Sequence, residues 1–472
     1  RQERWSDLIE LWRGRLAQLG SVEARALRVD IAACQLDKLG DPQRALDEIE
    51  ALLEESAGHA DACLLLERVL EHGKAALPLR RRALSLLRKN YDAAERPADV
   101  IRVLERALNF VNEDEKPSLY RELGSRLGIA GEDSRAMQHY AALLTIDPTD
   151  ADARKQIRQL AERSGEHQLY ALALVAAAEA SDEGAQQTAL LLEAAHAHRD
   201  LLDDKESAIE LYSRVLDADQ GANERTADRS SSLSAAHSLA ELLADSGEDS
   251  RRLAVLERLA DLERVSAVRR TILGEAARLA ERLGHADRAL ANWSRRLEGE
   301  DTDLEARDAV VELLQSNERW AELVKALLAR AADSSLEQQR RSDLIRAAKI
   351  QSDQLGQIEA AIDTWLSIRQ SFGDEPETLD ALDRLLTQTS RWKELADLLA
   401  GSAGTGRDRA ARMLTRLGDI CRQHLDAPDR AADYYAKALG VDAANHDGLV
   451  GLRALLRVPS CGPLAGEALA QA

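Results

Sequence analysis

The sequence contains few aromatic residues and few prolines. Phe, Trp and Tyr together make up 3% of its 472 residues, although hydrophobic residues make up 45%. A buried core must therefore consist mainly of Leu, Ala, Val and Ile. Only nine prolines occur, and the dominant residues, Leu, Ala, Arg and Glu, all favour helices. The composition therefore predicts an all-α fold.

Cysteine is also scarce. The four cysteines are far apart in the sequence and form no C-x-x-C pair: Cys34, Cys63, Cys421 and Cys461. This spacing indicates neither a disulfide framework nor a zinc site. No recognisable histidine signature accompanies any of the cysteines, so nucleophilic catalysis has no support.

Motifs that carry other chemistry are missing as well. The only glycine-rich candidate for a phosphate loop, GTGRDR at 404–409, lacks the Lys-Ser ending and a preceding strand. The pair Glu193 and His196 has the E-x-x-H spacing of helical metal sites, and His198 follows, but no second E-x-x-H is evident. We therefore expect no enzyme activity, no metal and no cofactor.

The charge of the chain is strongly negative. Acidic residues number 83 against 63 basic ones, which gives a formal net charge of −20. Nucleic acid and anionic membrane need a positive footprint, so neither is expected as a general partner. No apolar run approaches the roughly 18 residues that span a bilayer. No signal peptide is visible, and we expect a cytoplasmic protein. Because the chain begins at Arg1 and not at Met, an upstream targeting segment is left open as an alternative.

A pattern of three residues recurs six times along the chain. A small residue is followed after 12 or 13 positions by an alanine and four positions later by a bulky residue. The six sets are Ala32/Ala45/Ile49, Gly124/Ala136/Tyr140, Ala195/Ala208/Tyr212, Ala276/Ala289/Trp293, Ala348/Ala361/Trp365 and Gly418/Ala431/Tyr435. Such self-similarity is typical of a repeat array. The small residue would let two helices approach closely, and the bulky residue would fill the gap above them.

The spacing of these sets predicts the repeating unit. Successive small residues are 92, 71, 81, 72 and 70 positions apart. A unit of about 72 residues is twice the length of one helical hairpin, so each unit should contain four helices. The sequence thus predicts about six such units, which form an array over residues 1–458. Residues 459–472 lack the repeat pattern and are interpreted as a C-terminal cap or a linker.

Two intervals exceed the period. The polar stretch 217–232 predicts a lengthened loop. The first interval is about twenty residues too long, enough for one additional helix, and 60–72 and 77–94 are both plausible helices there. This irregular insertion covers about 60–95. The chain also begins inside a unit, because Arg4-Trp5 corresponds to Arg319-Trp320 and Arg391-Trp392, and the hairpin partner of its first helix is absent.

The second copy resembles a tetratricopeptide repeat (TPR). The matching residues are Tyr120, Leu123, Gly124, Leu127, Ala136, Tyr140, Leu143 and Pro148. The other copies match more loosely. The resemblance implies a right-handed superhelical α-solenoid of antiparallel helix hairpins that binds protein segments. Some members of this family grip a carboxylate tail with Lys, Asn and Arg, but here the matching positions in two copies hold Arg121, Ser125, Ile345 and Lys349, so that clamp is not reproduced.

The best local candidate for a binding surface is the stretch 77–90. It carries Arg80, Arg81, Arg82, Arg88 and Lys89 and no acidic residue, and Arg121 and Lys349 add candidate positions elsewhere. This face would dock an acidic partner. The alternative is that its leucines pack inward and its arginines form a solvated face offset by acidic neighbours.

Two further features have structural interpretations. The tryptophans Trp5, Trp293, Trp320, Trp365 and Trp392 repeat in register, which favours wedges between adjacent helices over a ligand-stacking row. Arginine outnumbers lysine about five to one, which we interpret as a compositional bias and not as a functional signal.

The sequence as a whole favours a non-enzymatic scaffold or adaptor. Its partners would be other proteins, including acidic or extended segments, docked on a curved helical surface. Two alternatives stay open. The chain could self-assemble as a homo-oligomer through the ends of its array, or it could be a regulatory or sensor segment of a larger multidomain protein.

Overall fold

A computed structural model describes residues 2–221, 229–298, 303–401, 406–458 and 461–471. These residues form 26 α-helices and one short 3-10 helix (Glu113–Glu115), and they contain no β-strand. The chain divides into two compact units, residues 1–264 and 265–472. The prediction of an all-α fold is confirmed.

The helices of the first unit follow one another with short connections. They are α1 (Gln2–Leu16), α2 (Ser21–Asp37), α3 (Pro42–Glu55), α4 (Ala60–Glu71), α5 (Leu77–Ala93), α6 (Pro97–Ala107), α7 (Lys116–Ala130), α8 (Asp133–Ile146), α9 (Ala151–Ser164), α10 (His167–Ala180), α11 (Gly184–Asp200), α12 (Lys205–Gly221), α13 (Arg229–Ser246) and α14 (Asp249–Leu262).

The second unit continues the same arrangement. Its helices are α15 (Ser266–Arg282), α16 (Ala286–Leu297), α17 (Leu304–Ser316), α18 (Trp320–Asp333), α19 (Glu337–Asp353), α20 (Ile358–Phe372), α21 (Pro376–Gln388), α22 (Trp392–Gly401), α23 (Arg407–Gln423), α24 (Pro428–Val441), α25 (His446–Leu455) and α26 (Gly462–Gln471). Within each unit, consecutive helices pack on one another.

A left-handed turn residue marks each hairpin. Between the two helices of eleven hairpins in the described residues, one residue has a positive φ of 46° to 80°. These residues are Gly40, Glu95, Gly131, Gly165, Asp203, Gly247, Gly284, Glu318, Gly356, Ser390 and Asp426. The left-handed residue frees the chain from the first helix and lets it reverse direction. In each hairpin we refer to the N-terminal helix as the first helix and to the other as the second.

Each repeated pair of small and bulky residues closes one hairpin. A Cβ placed on Gly124 would lie only 2.6 Å from Tyr140 Cε2, and one on Gly418 would lie 2.5 Å from Tyr435 Cε1. These tyrosine rings therefore occupy the space that a side chain would need. The other copies have alanine at the small position, and there Trp293 and Trp365 are buried. The prediction that these two tryptophans are structural wedges is confirmed.

The irregular first interval contains an odd number of helices. The small residue lies on α2, α7, α11, α15, α19 and α23, so successive copies are four helices apart except for the first two, which are five apart. The helix without a hairpin partner is α4. Glu95 supplies the left-handed turn between α5 and α6, and Leu87, Val100 and Leu104 repeat the 13- and 4-residue spacing. The α5–α6 hairpin is thus a further copy of the repeat, with leucine at the small position.

A buried carboxylate ties α4 to the next hairpin. Glu67 on α4 is only 7% exposed. It accepts a hydrogen bond of 2.6 Å from the Tyr91 hydroxyl on α5 and two of 2.7 Å from the Arg102 guanidinium on α6. Arg106 donates a further bond of 3.3 Å to it. In the turn before α4, the Gly58 amide donates a hydrogen bond of 2.9 Å to the Asn90 side chain of α5.

Both stretches that the sequence set apart from the regular array contain helix among the described residues. Within 217–232, α12 continues to Gly221 and α13 begins at Arg229. A loop there can therefore include only residues 222–228, which lie outside the described residues. At the C-terminus, α26 packs on α24 and α25. Residues 459, 460 and 472 of the stretch interpreted as a cap or linker also lie outside the described residues.

The described residues thus form TPR-like helical repeats, an all-α array in which each hairpin packs on its neighbours within the unit. Among the described residues, no helix is both long and apolar enough to cross a bilayer.

The left-handed turns can be tested with two substitutions of opposite sign. Glu318→Gly should raise the free energy of unfolding by about 0.5–1 kcal/mol, because it relieves a strained backbone at φ 54°. Gly284→Ala should lower it by about the same amount. A Cβ on Gly284 would meet no atom within 4 Å. Any stability that Gly284→Ala loses would therefore report backbone strain alone. Urea midpoints that shift in the same direction for both variants would contradict the turn assignment.

The Glu67 cluster should make stability depend on pH. Burial alone would raise the pKa of Glu67, but the hydrogen bonds from Arg102 and Tyr91 lower it, and the net pKa is below its usual value. The cluster therefore stabilises the fold above the pKa of an unfolded Glu, and this contribution disappears as pH falls through the lower folded pKa. Glu67→Gln should cost about 2 kcal/mol at neutral pH and less in acid.

The matched control is Glu71→Gln, because Glu71 is exposed and contacts only Arg106 of this cluster. Urea unfolding from about pH 3 to 8 checks both variants. An equal effect of the two substitutions, or a Glu67→Gln effect that is independent of pH, would show that the cluster does not hold α4.

Candidate interaction surfaces

The predicted basic stretch lies on α5, and neighbouring hairpins neutralise much of its charge. Arg81 forms an ion pair with Glu115, and Arg88 forms one with Glu122 at 2.5 Å. Arg82 reaches back to α3, where its guanidinium contacts Asp47 at 2.8 Å and also Glu50. These carboxylates come from helices or loops on both sides of α5. The contacts favour the structural interpretation of the three arginines.

The two remaining cations of the stretch differ from each other. Arg80 donates to the His72 carbonyl at 3.3 Å, and its guanidinium lies 5.5 Å from the centre of the Phe110 ring. Lys89 is exposed, and it has no ion pair among the described residues. Neither Arg80 nor Lys89 thus has a carboxylate partner among the described residues, but Lys89 is the more exposed of the two.

The other two candidate residues also have acidic partners. Arg121 pairs with Asp150, the residue that caps the N-terminus of α9 by accepting from the Ala153 amide at 2.8 Å. Burial alone would raise the pKa of Asp150, but that amide and Arg121 lower it below its usual value. Lys349 contacts Glu377 at 2.8 Å on the N-terminal turn of α21. Arg121 thus helps to join two successive hairpins, and so does Lys349.

Ion pairs between successive hairpins recur throughout both units. An arginine of one hairpin contacts a carboxylate about 30–35 residues away, close to the length of one hairpin. Examples are Arg13–Glu48, Arg68–Asp37, Arg126–Asp92, Arg135–Glu105, Arg163–Asp133, Arg319–Asp287, Arg341–Glu375 and Arg416–Asp383. Arginine suits these bridges because its planar group can bind two acceptors at once. The excess of arginine over lysine therefore has a structural use that the compositional interpretation missed.

A pocket of about 560 Å³ lies between the first helices α19 and α21. The α19 helix contributes Arg341, Arg346 and Lys349 beside the apolar Ile345, and α21 contributes Glu377. Arg341 and Lys349 are paired with Glu375 and Glu377. Arg346 has no ion pair among the described residues. This pocket therefore has a free positive charge next to an apolar side chain.

The next pair of first helices, α21 and α23, forms a second pocket of about 420 Å³. Its apolar lining is Leu379, Leu399 and Met413. Two of its three arginines bind α21: Arg409 contacts Asp380 at 2.8 Å, and Arg416 contacts Asp383 at 3.3 Å.

The third arginine of this pocket, Arg412, is exposed and has no ion pair within the described ranges. The pocket thus repeats the composition of the one before it, with one unpaired arginine beside apolar side chains.

A third pocket of about 450 Å³ lies where α15 faces the N-terminus of α17. Arg278 contacts Glu305 at 2.5 Å, and Arg296 contacts Asp303 at 2.7 Å. Burial alone would raise the pKa of Asp303, but the Ala306 amide and Arg296 lower it. Arg270 is the third cation of its lining.

The three pockets share a chemical character, and we call them the first-helix pockets. Each has three cationic side chains and fewer carboxylates, although the chain as a whole is strongly acidic. Sequence reasoning missed them because their two walls are one hairpin apart in the chain. The available signal was the arginine content of α19 and α23, both of which are first helices of 17 residues.

Residues weighed for metal binding or catalysis have ordinary structural partners. Glu193 accepts a hydrogen bond from the Tyr170 hydroxyl at 2.5 Å, and His196 packs edge-on against the Tyr212 ring. Across the described ranges, no three His, Cys, Asp or Glu side chains are grouped to hold a metal ion. All four cysteines are buried, and burial raises the pKa of the Cys63 thiol to about 11. Residues 404 and 405 of the GTGRDR stretch lie outside the described residues.

Comparison with models of protein families gave no match, and neither did comparison with curated proteins. Among solved structures, one entitled Naa15/Naa10 bound to HypK-THB has a chain that aligns with 94% of this chain at 15% identity and a TM-score of 0.28. The alignment covers 62% of that chain, so the present chain spans less than two thirds of its length. The C-terminal part of a TPR repeat-containing protein from Cytophaga hutchinsonii aligns over 99% of its length with 56% of this chain, at 17% identity and a TM-score of 0.24.

Two conservative substitutions on α5 compare a cation that forms internal ion pairs with a cation that forms none among the described residues. Arg82→Gln should lower the free energy of unfolding by up to about 1 kcal/mol, because it removes contacts with two carboxylates of α3 at a partly exposed site. Lys89→Gln should leave it unchanged within about 0.5 kcal/mol. Urea unfolding followed by circular dichroism checks both. A stability unaffected by Arg82→Gln would mean that the ion pairs of α5 are incidental and that its arginines are available to a partner.

Proposed function

We propose that this protein is a non-enzymatic scaffold that docks segments of other proteins on the first-helix pockets of residues 265–472. The observation that carries the proposal is the repetition of one chemical composition in successive pockets. Each has three cations, and the two between α19 and α23 combine an unpaired arginine with apolar side chains. Similar pockets at several hairpins of one unit suit a partner that repeats its own chemistry along its length.

The composition of the pockets also favours a class of partner. Arg346 and Arg412 would pair with acidic side chains, while Ile345, Leu379 and Met413 would contact apolar ones. A segment that alternates acidic and apolar residues in an extended conformation meets both requirements. Cations already bound to carboxylates of the same protein would contribute less, because a partner must compete with those carboxylates.

The proposed partner site differs from the one favoured by the sequence. The α5 stretch has more cations, but ion pairs with Glu115, Asp47, Glu50 and Glu122 use Arg81, Arg82 and Arg88. We therefore rank α5 below the first-helix pockets as a docking surface. Lys349, one of the candidate residues, lies in the pocket between α19 and α21 and is retained.

Two other roles are compatible with the same surfaces. If the chain is a regulatory segment of a larger multidomain protein, its pockets would bind another part of that protein. Self-assembly as a homo-oligomer, the other alternative left open by the sequence, would place another copy of the chain against these pockets. Neither role requires catalytic chemistry in the pockets.

Charge reversal tests the proposal without breaking internal ion pairs. In affinity capture from the source lysate, the double variant Arg346→Glu/Arg412→Glu should recover at least tenfold less partner than the unmodified chain, because each new carboxylate repels an acidic segment. Neither arginine has an internal carboxylate partner among the described residues, so the fold should tolerate the change.

The matched control is Arg340→Glu/Lys325→Glu. It makes the same change in charge at two exposed cations outside the pockets, one of them on α19 itself. Equal loss of the partner in both double variants would indicate a non-specific charge effect. Loss only in an Arg80→Glu/Arg81→Glu/Arg82→Glu variant that remains folded would return the site to α5. Either result would contradict the proposal.

A further inference from the structure

The helix α21 lies between two first-helix pockets. The pocket that contains Arg346 lies between α19 and α21, and the pocket that contains Arg412 lies between α21 and α23. Arg346 is two residues before the small residue of its helix, and Arg412 is six residues before that of its own helix. Positions that differ by four residues share one face of a helix. Both pockets therefore open on the same side of this unit, and a segment that enters both must cross α21.

Carboxylates of α21 and of the turn before it bind both neighbouring first helices. Each of these helices contributes two cations, and its arginine without an ion pair among the described residues lies between those two in the sequence. The four ion pairs are Glu375–Arg341 and Glu377–Lys349 toward α19, and Asp380–Arg409 and Asp383–Arg416 toward α23. Arg346 and Arg412 therefore flank the acidic stretch 375–383 on opposite sides.

The charge available to a partner thus changes sign twice across the three helices. A cation is available on α19 and another on α23, whereas α21 between them presents carboxylates. Asp380 is the most open of these, since 77% of its side chain is exposed. A carboxylate has about four lone-pair sites, so Asp380 can accept further donors besides Arg409. A basic side chain placed over α21 could bind there, and an acidic one would be repelled.

The width of α21 sets the spacing that a partner needs. A helix with its side chains is about 10–12 Å wide, and an extended chain advances about 3.3 Å per residue. A segment that crosses α21 therefore advances about four residues between the two pockets. In an extended segment the residues i, i+2 and i+4 point to the same side. Residues i and i+4 would then reach the pockets, and residue i+2 would lie over α21.

We propose that α19, α21 and α23 together recognise an extended segment with acidic residues at i and i+4 and a basic residue at i+2. The proposal rests on the docking function proposed above, and it replaces one acidic residue of that partner by a basic one. The acidic residues pair with Arg346 and Arg412, and the basic residue pairs with Asp380. Apolar residues at i+1 and i+3 retain the alternation that suits the pockets.

This arrangement makes the order of charges in the partner matter as well as its net charge. An acidic residue at i+2 would lie against the carboxylates of α21, and like charges that face each other across an interface are costly. A basic residue at i or i+4 would likewise face Arg346 or Arg412. Two segments of identical composition should therefore bind with different affinities.

Two labelled peptides of identical composition test this order. One contains Glu-Leu-Lys-Leu-Glu and the other Lys-Leu-Glu-Leu-Glu, each flanked by Gly-Ser. Fluorescence anisotropy with the full chain should give the first peptide an affinity at least fivefold higher than the second. Their net charges are equal, so non-specific attraction cannot produce the difference. Equal affinities, or tighter binding of the second peptide, would overturn the proposal.

The variant Asp380→Lys provides the reciprocal test on the protein. It should abolish the preference for the first peptide, because a central lysine would then face a cation. The matched control is Asp363→Lys, which makes the same substitution at an exposed aspartate of the second helix α20 and should retain the preference. Circular dichroism verifies that both variants are folded. A preference that survives Asp380→Lys would contradict the assignment of the basic residue to α21.

The double variant Arg346→Glu/Arg412→Glu separates this proposal from the docking function on which it rests. If both peptides bind the unmodified chain equally and both are lost in the double variant, the pockets dock acidic segments and only the charge order is overturned. If neither peptide binds the unmodified chain better than the double variant, docking at these pockets fails and the charge order fails with it.

Discussion

Close approach of two helices around one bulky side chain is the interaction on which this structure depends. Tyr435 packs directly on Gly418 of its own hairpin and on Gly451 of the next one. Its hydroxyl also donates to Asp419 at 2.7 Å. One side chain thus sets the spacing within a hairpin and the contact with the following hairpin. Because each unit is assembled from such local contacts, its stability is close to a sum of hairpin and neighbour terms.

Ion pairs between hairpins decide which charges remain for other molecules. A chain with 63 basic residues could present many cationic surfaces, yet most arginines of the α5 stretch contact carboxylates of adjacent hairpins. Exposed ion pairs contribute little stability individually, but they neutralise the surface that they occupy. Arg346 and Arg412 are exceptions inside pockets, and that is why the first-helix pockets and not α5 carry the functional proposal. Binding potential here follows from unpaired charge and not from charge density.

The sequence predicted the helical class, the repeat and the presence of α4 and α5 from local information. Periodicity, left-handed glycines and small residues all act over a few turns of helix. It did not identify α5–α6 as a copy of the repeat, because Leu87 replaces the small residue and Glu95 replaces glycine at the turn. It also could not assign partners to Arg81 or Arg88, whose carboxylates lie a hairpin away. The pockets were missed for the same reason, since each is formed by two hairpins.

The most direct test of the central claim is hydrogen–deuterium exchange of the full chain with and without an acidic-apolar peptide of alternating Glu and Leu. If the first-helix pockets are the docking surface, amides of α19, α21 and α23 should gain protection, and those of α5 should not. The protection should weaken as salt increases, because it depends on charge pairing. Protection centred on α5, or no protection beyond that given by a peptide of alternating Ser and Leu, would contradict the account.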